Sequence, residues 1–500
     1  MSSMKNMMIV MAFLIASIGW AQAQHQHEHQ PKKDTTAAKA TMQDTVPQKK
    51  AAQQHDHRMP GHGKDTSQPA AQQPAGHSHE HNMAGQEHEA MNMSHAYSLN
   101  LPMNRNGSGT GWLPDASPMY GYMFHQNKWM YMLHGNLFIR YNKQDLLNRG
   151  SRGDAKVDAP SWAMLMGQRP VGKRGLFHFN VMASLDPVIA GGEGYPLLFQ
   201  TGETWKGVPL VDRQHPHDLI SELSVSYAHA LSPKADVFAY VGYPGEPAIG
   251  PVAFMHRPSA LNNPDATLTH HWTDATHITF GVATVGVRYG DFKLEGSSFT
   301  GREPDENRYN FDKPRFDSWS GRLSYNPTEN WAAQVSHGFI KEPETTHPGE
   351  DVKRTTASVT YAWRGFANDY FNATALWGVN KKEAHDGEHG LLVEGAYTQK
   401  KWSVYSRYEW VQKSAEELQL DENVYGHHSL FPVHAFTAGL NYDLFNIGQT
   451  RVAAGGHFTF YNPDQRLSSL YGQNPLAGQL YLRIYPGLMG QRAGRFFIAQ

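Results

Sequence analysis

The amino-acid sequence predicts an all-β protein: an antiparallel transmembrane β-barrel of about 14 strands, within a range of 12 to 16, after a disordered His/Met-rich N-terminal segment. Three observations predict this class. From residue 129 onward, segments of about ten residues alternate apolar and polar side chains. Aromatic residues lie at the ends of these segments, as in the interfacial girdles of membrane barrels. After residue 23, no apolar run is long enough for a membrane-spanning helix.

Residues 1–23 have the pattern of a signal peptide. Lys5 precedes an apolar run over residues 7–20, and Ala21-Gln22-Ala23 supplies the small residues at which a signal peptidase cuts. A transmembrane anchor is the alternative, but the run is short and ends at a good cleavage site. We therefore expect cleavage after Ala23 and export of the mature chain.

Residues 24–96 form a segment that cannot build a core. Between Gln24 and His95 there is no aromatic residue, leucine or isoleucine, while there are eleven histidines and five methionines. Such a chain buries too little apolar surface to offset its ordering entropy, so we expect disorder. Imidazole suits copper, zinc or nickel, and the thioether of methionine suits Cu(I), which predicts loose metal binding. The candidate ligands are His25, His27, His29, His55, His57, His77, His79 and His81.

The overall composition excludes several classes of protein. The chain has no cysteine, which rules out disulfides, thiolate metal sites and iron–sulfur clusters. Any metal must therefore bind histidine, methionine, carboxylate or backbone ligands. The formal net charge is -2, and the chain is expected to be exported, so nucleic acid is not an expected partner.

The barrel is assigned to residues 129–500, after a periplasmic linker or plug segment over residues 97–128. In the first strand, residues 129–141, Leu133 and Ile139 share one face while His134 and Arg140 share the other. The pattern recurs at 176–185, 219–231, 237–243, 277–289, 292–300, 318–325, 331–340, 355–363, 370–379, 391–398, 402–411, 435–444, 451–461 and 480–485. A soluble sandwich or propeller shares this alternation, but the polar second face favours a water-filled lumen.

A long loop over residues 209–277 carries the richest set of candidate ligands. Its six histidines are His215, His217, His256, His270, His271 and His277. Pro216 holds the backbone between the first two in the extended or turn form that lets both reach one ion. Asp212, Asp218 or Asp274 is expected to accept the second ring N–H of a ligand. The alternative is a hydrogen-bonded plug or an extracellular loop without an ion.

A second set of candidates lies on the lumen face of the first two strands. If these strands pair as their alternation suggests, one interior stripe contains Met130, Met132, His134, His178 and Met182. Such a stripe offers weak successive sites for copper or silver. The alternative is that methionine fills irregular interior space.

With these features together, the layout resembles that of the CopB-type outer-membrane copper-resistance proteins of Gram-negative bacteria, an exported Met/His-rich leader followed by a β-barrel. The stretches DRQHPHD, AFMHRPSA and HHWTDATHITFG also resemble those of uncharacterised bacterial outer-membrane barrels of metal-resistance loci. The leader departs from the CopB pattern, because it has fewer methionines than histidines and lacks Met-x-x-Met repeats. The resemblance implies a transition-metal ligand, with copper favoured over zinc or nickel.

The leading hypothesis is a barrel in the outer membrane of a Gram-negative bacterium that binds or passes transition-metal ions in metal tolerance or efflux. Its N-terminal segment is expected in the periplasm, and no enzymatic step is expected. The expected partners are outer-membrane lipid, metal ions and periplasmic metal-efflux components. Two alternatives stay open: a general porin-like channel with an incidental His-rich tail, and a metal-dependent hydrolase with its site at His215-Pro216-His217.

Overall fold

The computed structural model describes residues 94–489, except 367–368, 383–386 and 427–428. These residues belong to a compact unit that spans residues 80–500. The predicted signal peptide and the eight candidate ligands between His25 and His81 lie outside the described residues.

The described chain is built almost entirely of β-strands. They are β1 (Ser94–His95), β2 (Ser98–Pro102), β3 (Tyr122–Gln126), β4 (Trp129–Lys143), β5 (Ala155–Asp158), β6 (Ser161–Val171), β7 (Gly175–Ala183), β8 (Tyr195–Trp205), β9 (Val208–Gln214), β10 (Ile220–Ser232), β11 (Ala235–Gly242), β12 (Val282–Tyr289), β13 (Phe292–Phe299), β14 (Ser318–Thr328), β15 (Trp331–Ile340), β16 (Val352–Arg364), β17 (Tyr370–Lys381), β18 (Glu388–Gln399), β19 (Trp402–Ser414), β20 (Leu430–Ile447), β21 (Thr450–Pro463) and β22 (Leu476–Pro486). The helices are short: α1 (Asp186–Ile189), α2 (His270–Thr273), α3 (Glu422–Tyr425) and α4 (Ser468–Tyr471), with 3-10 turns at Met103–Arg105, Phe254–His256, Ala275–His277 and Gln465–Leu467.

Antiparallel pairing closes the strands into one barrel, and β22 completes the circle by pairing with β4. The short strand β3 continues the row of β22 along β4, and β5 continues the row of β6. The barrel therefore has 16 strand positions. The predicted fold class is confirmed, at the upper end of the expected range rather than at 14 strands. The strand pairs β1–β2 and β8–β9 form separate two-stranded sheets.

One full barrel strand, β6, was not among the predicted segments. Met164, Met166 and Gln168 are buried along it, while Ala163 and Leu165 are exposed on the opposite face. Because two of its inward side chains are methionines, apolar residues occur on both faces of β6. The period-two contrast that predicts a strand is therefore weak here.

The two ends of the barrel differ in their connections. At one end neighbouring strands are joined by tight turns, at residues 127–128, 172–174, 233–234, 290–291, 329–330, 365–369, 400–401 and 448–449. The other end carries the long connections, among them residues 184–219, 243–281, 300–317 and 415–429. We call these the short-turn end and the long-loop end.

Side chains alternate between an apolar outer face and a polar interior. On β12 and β13, Val285, Val287 and Leu294 are exposed on the outside. Between them, Lys293 and Glu295 face inward and form an ion pair of 3.1 Å. A closed barrel with an apolar outer face satisfies its backbone and is stabilised in lipid, so this is the organisation of a transmembrane barrel. None of the helices in the described residues is long and apolar enough to cross a membrane.

Two segments of the chain occupy the interior of the barrel. We call residues 94–121 the N-terminal plug and residues 243–281 the inward loop. Arg322, on the inner face of β14, donates to the Thr110 hydroxyl at 2.8 Å and to the Gly250 carbonyl at 3.1 Å, and so binds both segments. Across the barrel, Arg257 of the inward loop donates to Glu394 of β18 at 2.8 Å. The lumen is thus filled by the protein's own chain.

The predicted long loop over residues 209–277 is not continuous. It contains most of β9, all of β10 and all of β11 before the inward loop begins. The predicted strand over residues 277–289 likewise begins only at Val282. The histidines of this region therefore come from two separate connections, and their meeting depends on the barrel that lies between them.

Candidate metal centre

The long-loop half of the lumen contains five neighbouring histidines, the histidine group: His215, His217, His270, His271 and His277. His270 and His271 begin α2, and His277 ends the following 3-10 turn. His215 and His217 lie between β9 and β10. Ring centres are 5.4 Å apart for His217 and His277, 5.1 Å for His277 and His270, 5.9 Å for His270 and His215, and 5.7 Å for His215 and His271.

The short helix α2 is held against the barrel wall by close packing. Trp272 is almost fully buried, and a Cβ atom on Gly378 of β17 would lie 2.3 Å from its carbonyl oxygen. The Thr273 hydroxyl donates to the Thr269 carbonyl at 2.9 Å. Only glycine at position 378 allows this approach, so strand β17 determines where His270 and His271 lie.

Three rings of the group are oriented by acceptors on one side. Nδ1 of His217 lies 2.8 Å from a carboxylate oxygen of Asp186, and Nδ1 of His270 lies 2.9 Å from a carboxylate oxygen of Asp274. Nδ1 of His277 lies 2.8 Å from the Asp274 carbonyl oxygen. Since these oxygens only accept, Nδ1 carries the proton in each ring. Each Nε2 atom is buried and has no hydrogen-bond partner among the described residues.

This arrangement is what a metal-binding histidine requires, a fixed tautomer with its second nitrogen free. With metal–nitrogen bonds of about 2.0–2.1 Å and tetrahedral angles, two ligating rings have centres about 5 Å apart. The separations of His217, His270 and His277 from their nearest neighbours match that spacing. Within the described residues, however, no group of three or more His, Cys, Asp or Glu side chains is already arranged to hold a metal. Binding therefore requires the rings to turn.

The other two histidines face carboxylates near the mouth of the barrel. Nε2 of His215 lies 3.2 Å from Glu203, and Nδ1 of His271 lies 3.6 Å from Glu303. Gly202, with φ of +103°, makes room for His271, because a Cβ atom there would lie 2.3 Å from the ring. Neither glutamate could be assigned from the sequence, because Glu203 lies on a separate strand, β8, and Glu303 on a different connection from His271.

Burial controls the charge of the group. Desolvation lowers the pKa of His215, His270 and His277, and neighbouring imidazoles lower it further. Asp274 opposes this shift at His270 without outweighing it, so these rings are neutral at neutral pH. Burial acts to raise the pKa of Asp274, but its bond to His270 and the charge of Arg257 outweigh that effect and hold it below its ordinary value. Neutral imidazoles beside an ionised carboxylate form a suitable ligand set for a cation.

Two of the predicted carboxylates do not contact the histidines. Asp212 accepts from the Phe199 backbone N–H at 2.7 Å and the Tyr471 hydroxyl at 3.0 Å. Asp218 pairs with Arg308 at 3.4 Å. Asp212 has a positive φ of 57°, so its side chain does not follow the regular alternation of a strand. Asp186, in α1, takes the role expected of them, and sequence reasoning missed it because it lies 31 residues before His217.

His256 is also separate from the histidine group. Its ring centre lies 4.6 Å from that of Trp162 and 6.0 Å from that of His134. Burial lowers its pKa to about 3. The 3-10 turn at Phe254–His256 places it on the side of the inward loop that faces β4 and β6.

Around His256 lies a group of methionines that we call the methionine cluster: Met103, Met119, Met123, Met130, Met132, Met164, Met166, Met182, Met255 and Met489. The predicted stripe on β4 and β7 is part of it, but these strands do not pair with each other. Strand β6 lies between them, with Met132 opposite Met166 and Met164 opposite Met182. The cluster is therefore wider than the stripe, and seven of its members were not among the stripe's candidates.

Neighbouring cavities with shared wall residues lie between the two sets of donors. At the short-turn end, a cavity of about 580 Å³ is lined by residues that include Met103, Met119 and Met123. A cavity of about 100 Å³ inside the methionine cluster shares Met119 with it. The next cavity, of about 40 Å³, shares Met255 with the second and reaches His217. The three cavities thus follow one another from the short-turn end to the histidine group.

Comparison with known proteins gives only distant likenesses. No family model matches the chain, and no curated protein matches it. Salmonella typhi OmpF in complex with daunomycin superposes with a TM-score of 0.45 at 10% identity, over 73% of this chain and 99% of that chain. An anion-selective porin from Comamonas acidovorans superposes with a TM-score of 0.42 at 12% identity, over 72% of this chain and 99% of that chain. The high-pH structure of Pseudomonas putida OprB superposes with a TM-score of 0.41 at 12% identity, over 71% of this chain and 94% of that chain.

The class of protein follows from the chain itself. Its strands close an antiparallel barrel, its outer face is apolar, and its interior is polar and filled by two of its own segments. It is a transmembrane β-barrel of the outer-membrane type with an occupied lumen.

Proposed function

We propose that this protein is an outer-membrane barrel that binds transition-metal ions in its lumen and passes them across the membrane, with copper favoured and zinc or nickel as alternatives. The observation that carries the proposal is the orientation of His217, His270 and His277. Each has Nδ1 held by an oxygen atom and a buried Nε2 atom that has no partner in the part of the chain that the structure describes. Three buried imidazole nitrogens without partners lower the stability of the fold. A cation that binds them after the rings turn would offset this loss.

The occupied lumen favours an ion route over a general solute channel. The N-terminal plug and the inward loop cross the interior. Hydrogen bonds such as Arg322 with Thr110 bind the plug to the wall, and buried ion pairs such as Arg257 with Glu394 bind the inward loop. These segments take up space that a general solute channel would need. A metal ion needs only a succession of ligands, which the neighbouring cavities supply.

The His/Met-rich segment before residue 94 fits this function as an accessory. Ser94 accepts a hydrogen bond from Gln168 of β6 at 3.0 Å, near the short-turn end. In barrels of this type short turns face the periplasm, which puts the segment on the periplasmic side in our proposal. Many weak ligands next to one entrance raise the local ion concentration. Periplasmic metal-efflux components are the partners that would load such a segment.

The test is competitive metal binding by the purified chain in detergent. After a weak chelator removes loosely held ions, we expect about one Zn(II) or Cu(II) per chain to remain, and His217→Ala to lose it. His337→Ala is the matched control, because His337 is exposed on β15, outside the group. Retention of no ion by the unaltered chain, together with metal-independent solute flux into liposomes, would establish a general channel instead.

A further inference from the structure

The distribution of methionine in the interior is uneven. All ten methionines of the described residues belong to the methionine cluster. The two other apolar clusters of the barrel are built from Leu, Ile, Val, Phe, Tyr, Trp and Ala and contain no methionine. The methionine cluster, conversely, contains no leucine, isoleucine or valine. Methionine as a general filler of irregular space would be spread over all three clusters.

The cluster encloses a cavity rather than a solid core. We call it the thioether cavity: its wall includes Met119, Met132, Met164, Met166 and Met255, with imidazoles at His134, His178 and His256. Nε2 of His134 and Nε2 of His178 are buried and have no hydrogen-bond partner within the part of the chain that the structure describes. An apolar cavity that served packing alone would not leave imidazole nitrogens unpaired at its wall.

Charge distinguishes this cavity from the histidine group. No Asp or Glu side chain lines the thioether cavity among the described residues. Its one charged side chain is Arg483, which donates to Asn136 at 2.8 Å and stacks 3.7 Å from the centre of the Tyr485 ring. A divalent ion would be desolvated here without a counter-charge, at high cost. A monovalent soft ion with neutral sulfur and imidazole ligands is far less penalised.

The thioether cavity lies between the other two cavities. It shares Met119 with the large cavity at the short-turn end, and Met255 with the small cavity that reaches His217. We propose that the thioether cavity is a binding site for a monovalent soft cation, Cu(I) or Ag(I), on its way between the short-turn end and the histidine group. The inference rests on the proposed function, because it names the ion class and the intermediate site for that same route.

The experiment uses Ag(I), which needs no reductant, and the full mature chain with 13C-methyl-labelled methionine. Addition of Ag(I) is expected to shift the methyl resonances of Met132, Met164 and Met166. The variant Met164→Leu/Met166→Leu keeps the apolar volume and removes two thioethers, so it should lose about one bound silver per chain. The control is Met130→Leu/Met182→Leu, in the same cluster but away from the cavity wall. It should keep that silver.

The possible outcomes separate this inference from the proposed function. Silver shifts confined to methionines before residue 94, or equal silver binding by both double variants, would overturn the thioether site. Zn(II) addition measures the histidine group independently, since zinc does not select thioether ligands. Silver shifts in the cavity of a chain that retains no Zn(II) would uphold the thioether site and overturn the histidine centre.

Discussion

The methionine cluster and the histidine group lie in the same lumen, yet they differ in two properties that select an ion, the presence of thioethers and the presence of carboxylates. The cluster offers neutral thioethers in a cavity without carboxylates. The histidine group offers imidazoles beside Asp186, Asp274, Glu203 and Glu303. Soft ligands without counter-charge favour a monovalent ion, while imidazole with carboxylate tolerates a divalent one. The difference indicates that the two regions are chemically separable, although the cavities beside them share Met255.

The largest expected effect is on zinc binding by the histidine group. His277→Ala removes the ring that contacts both His217 and His270, so Zn(II) affinity should fall by more than about 100-fold. Silver binding in the thioether cavity should be unchanged. Competition with a chelator measures the zinc affinity, and methionine methyl resonances measure the silver. A parallel loss of both ions would show that the two regions form a single site.

A smaller effect is expected from the carboxylate that orients His217. Asp186→Asn keeps the side-chain shape and the acceptor for the Ser161 backbone N–H, but removes the charge next to Nδ1. Zn(II) affinity should fall by about 10–100-fold, the usual effect of an outer-shell partner. Asp464→Asn, at an exposed turn near β21, is the control and should leave the affinity unchanged. An unchanged affinity in Asp186→Asn would remove His217 from the ligand set.

Deletion of residues 24–79 should have a still smaller effect, on loading only. These residues lie outside the compact unit of residues 80–500. Metal uptake into liposomes at limiting ion concentration should fall several-fold, because the local supply of ion is lost. The affinity of the histidine group should stay the same, and the difference should vanish at high ion concentration. A loss of affinity would assign ligands of the tight site to the deleted segment.

The smallest effect is expected for stability. Met164→Leu and Met166→Leu preserve volume and apolarity, so each should change the free energy of unfolding by less than about 1.5 kcal/mol. Phe431→Ala, in the methionine-free cluster, should cost about 3–5 kcal/mol by opening a cavity in a solid core. Denaturant unfolding of the purified barrel measures both. A large loss of stability in the methionine variants would favour a packing role for the cluster.

Much of the barrel was predictable from local pattern. Period-two alternation identifies β12 and β13, and the Gly290-Asp291 turn between them has the positive φ that a tight hairpin needs at Gly290. The alternation fails at β6, because Met164 and Met166 put apolar side chains on its inner face. The methionines that make β6 hard to recognise from the sequence are also part of the proposed soft-ion site.

The candidate sites were predictable only in part. Five of the six histidines expected between residues 215 and 277 do meet, and their density in the sequence was the signal. Their partners were not predictable: Asp186 lies 31 residues before His217, Glu303 lies on a different connection from His271, and Asp212 and Asp218 bond elsewhere. No local rule relates Asp186 or Glu303 to the histidine that it faces, because β8 and β9 or whole barrel strands lie between them.

The sequence by itself determined the class of fold, since apolar and polar alternation and tight-turn residues act over a few positions and need no distant partner. It also determined which donor types were available, since there is no cysteine and histidine is abundant. Only the tertiary structure decided which donors meet and which ring nitrogen stays free. Closure of the barrel sets the register that brings Met132 opposite Met166, and burial against Asp274 sets the tautomer of His270. Both depend on residues far apart in the chain.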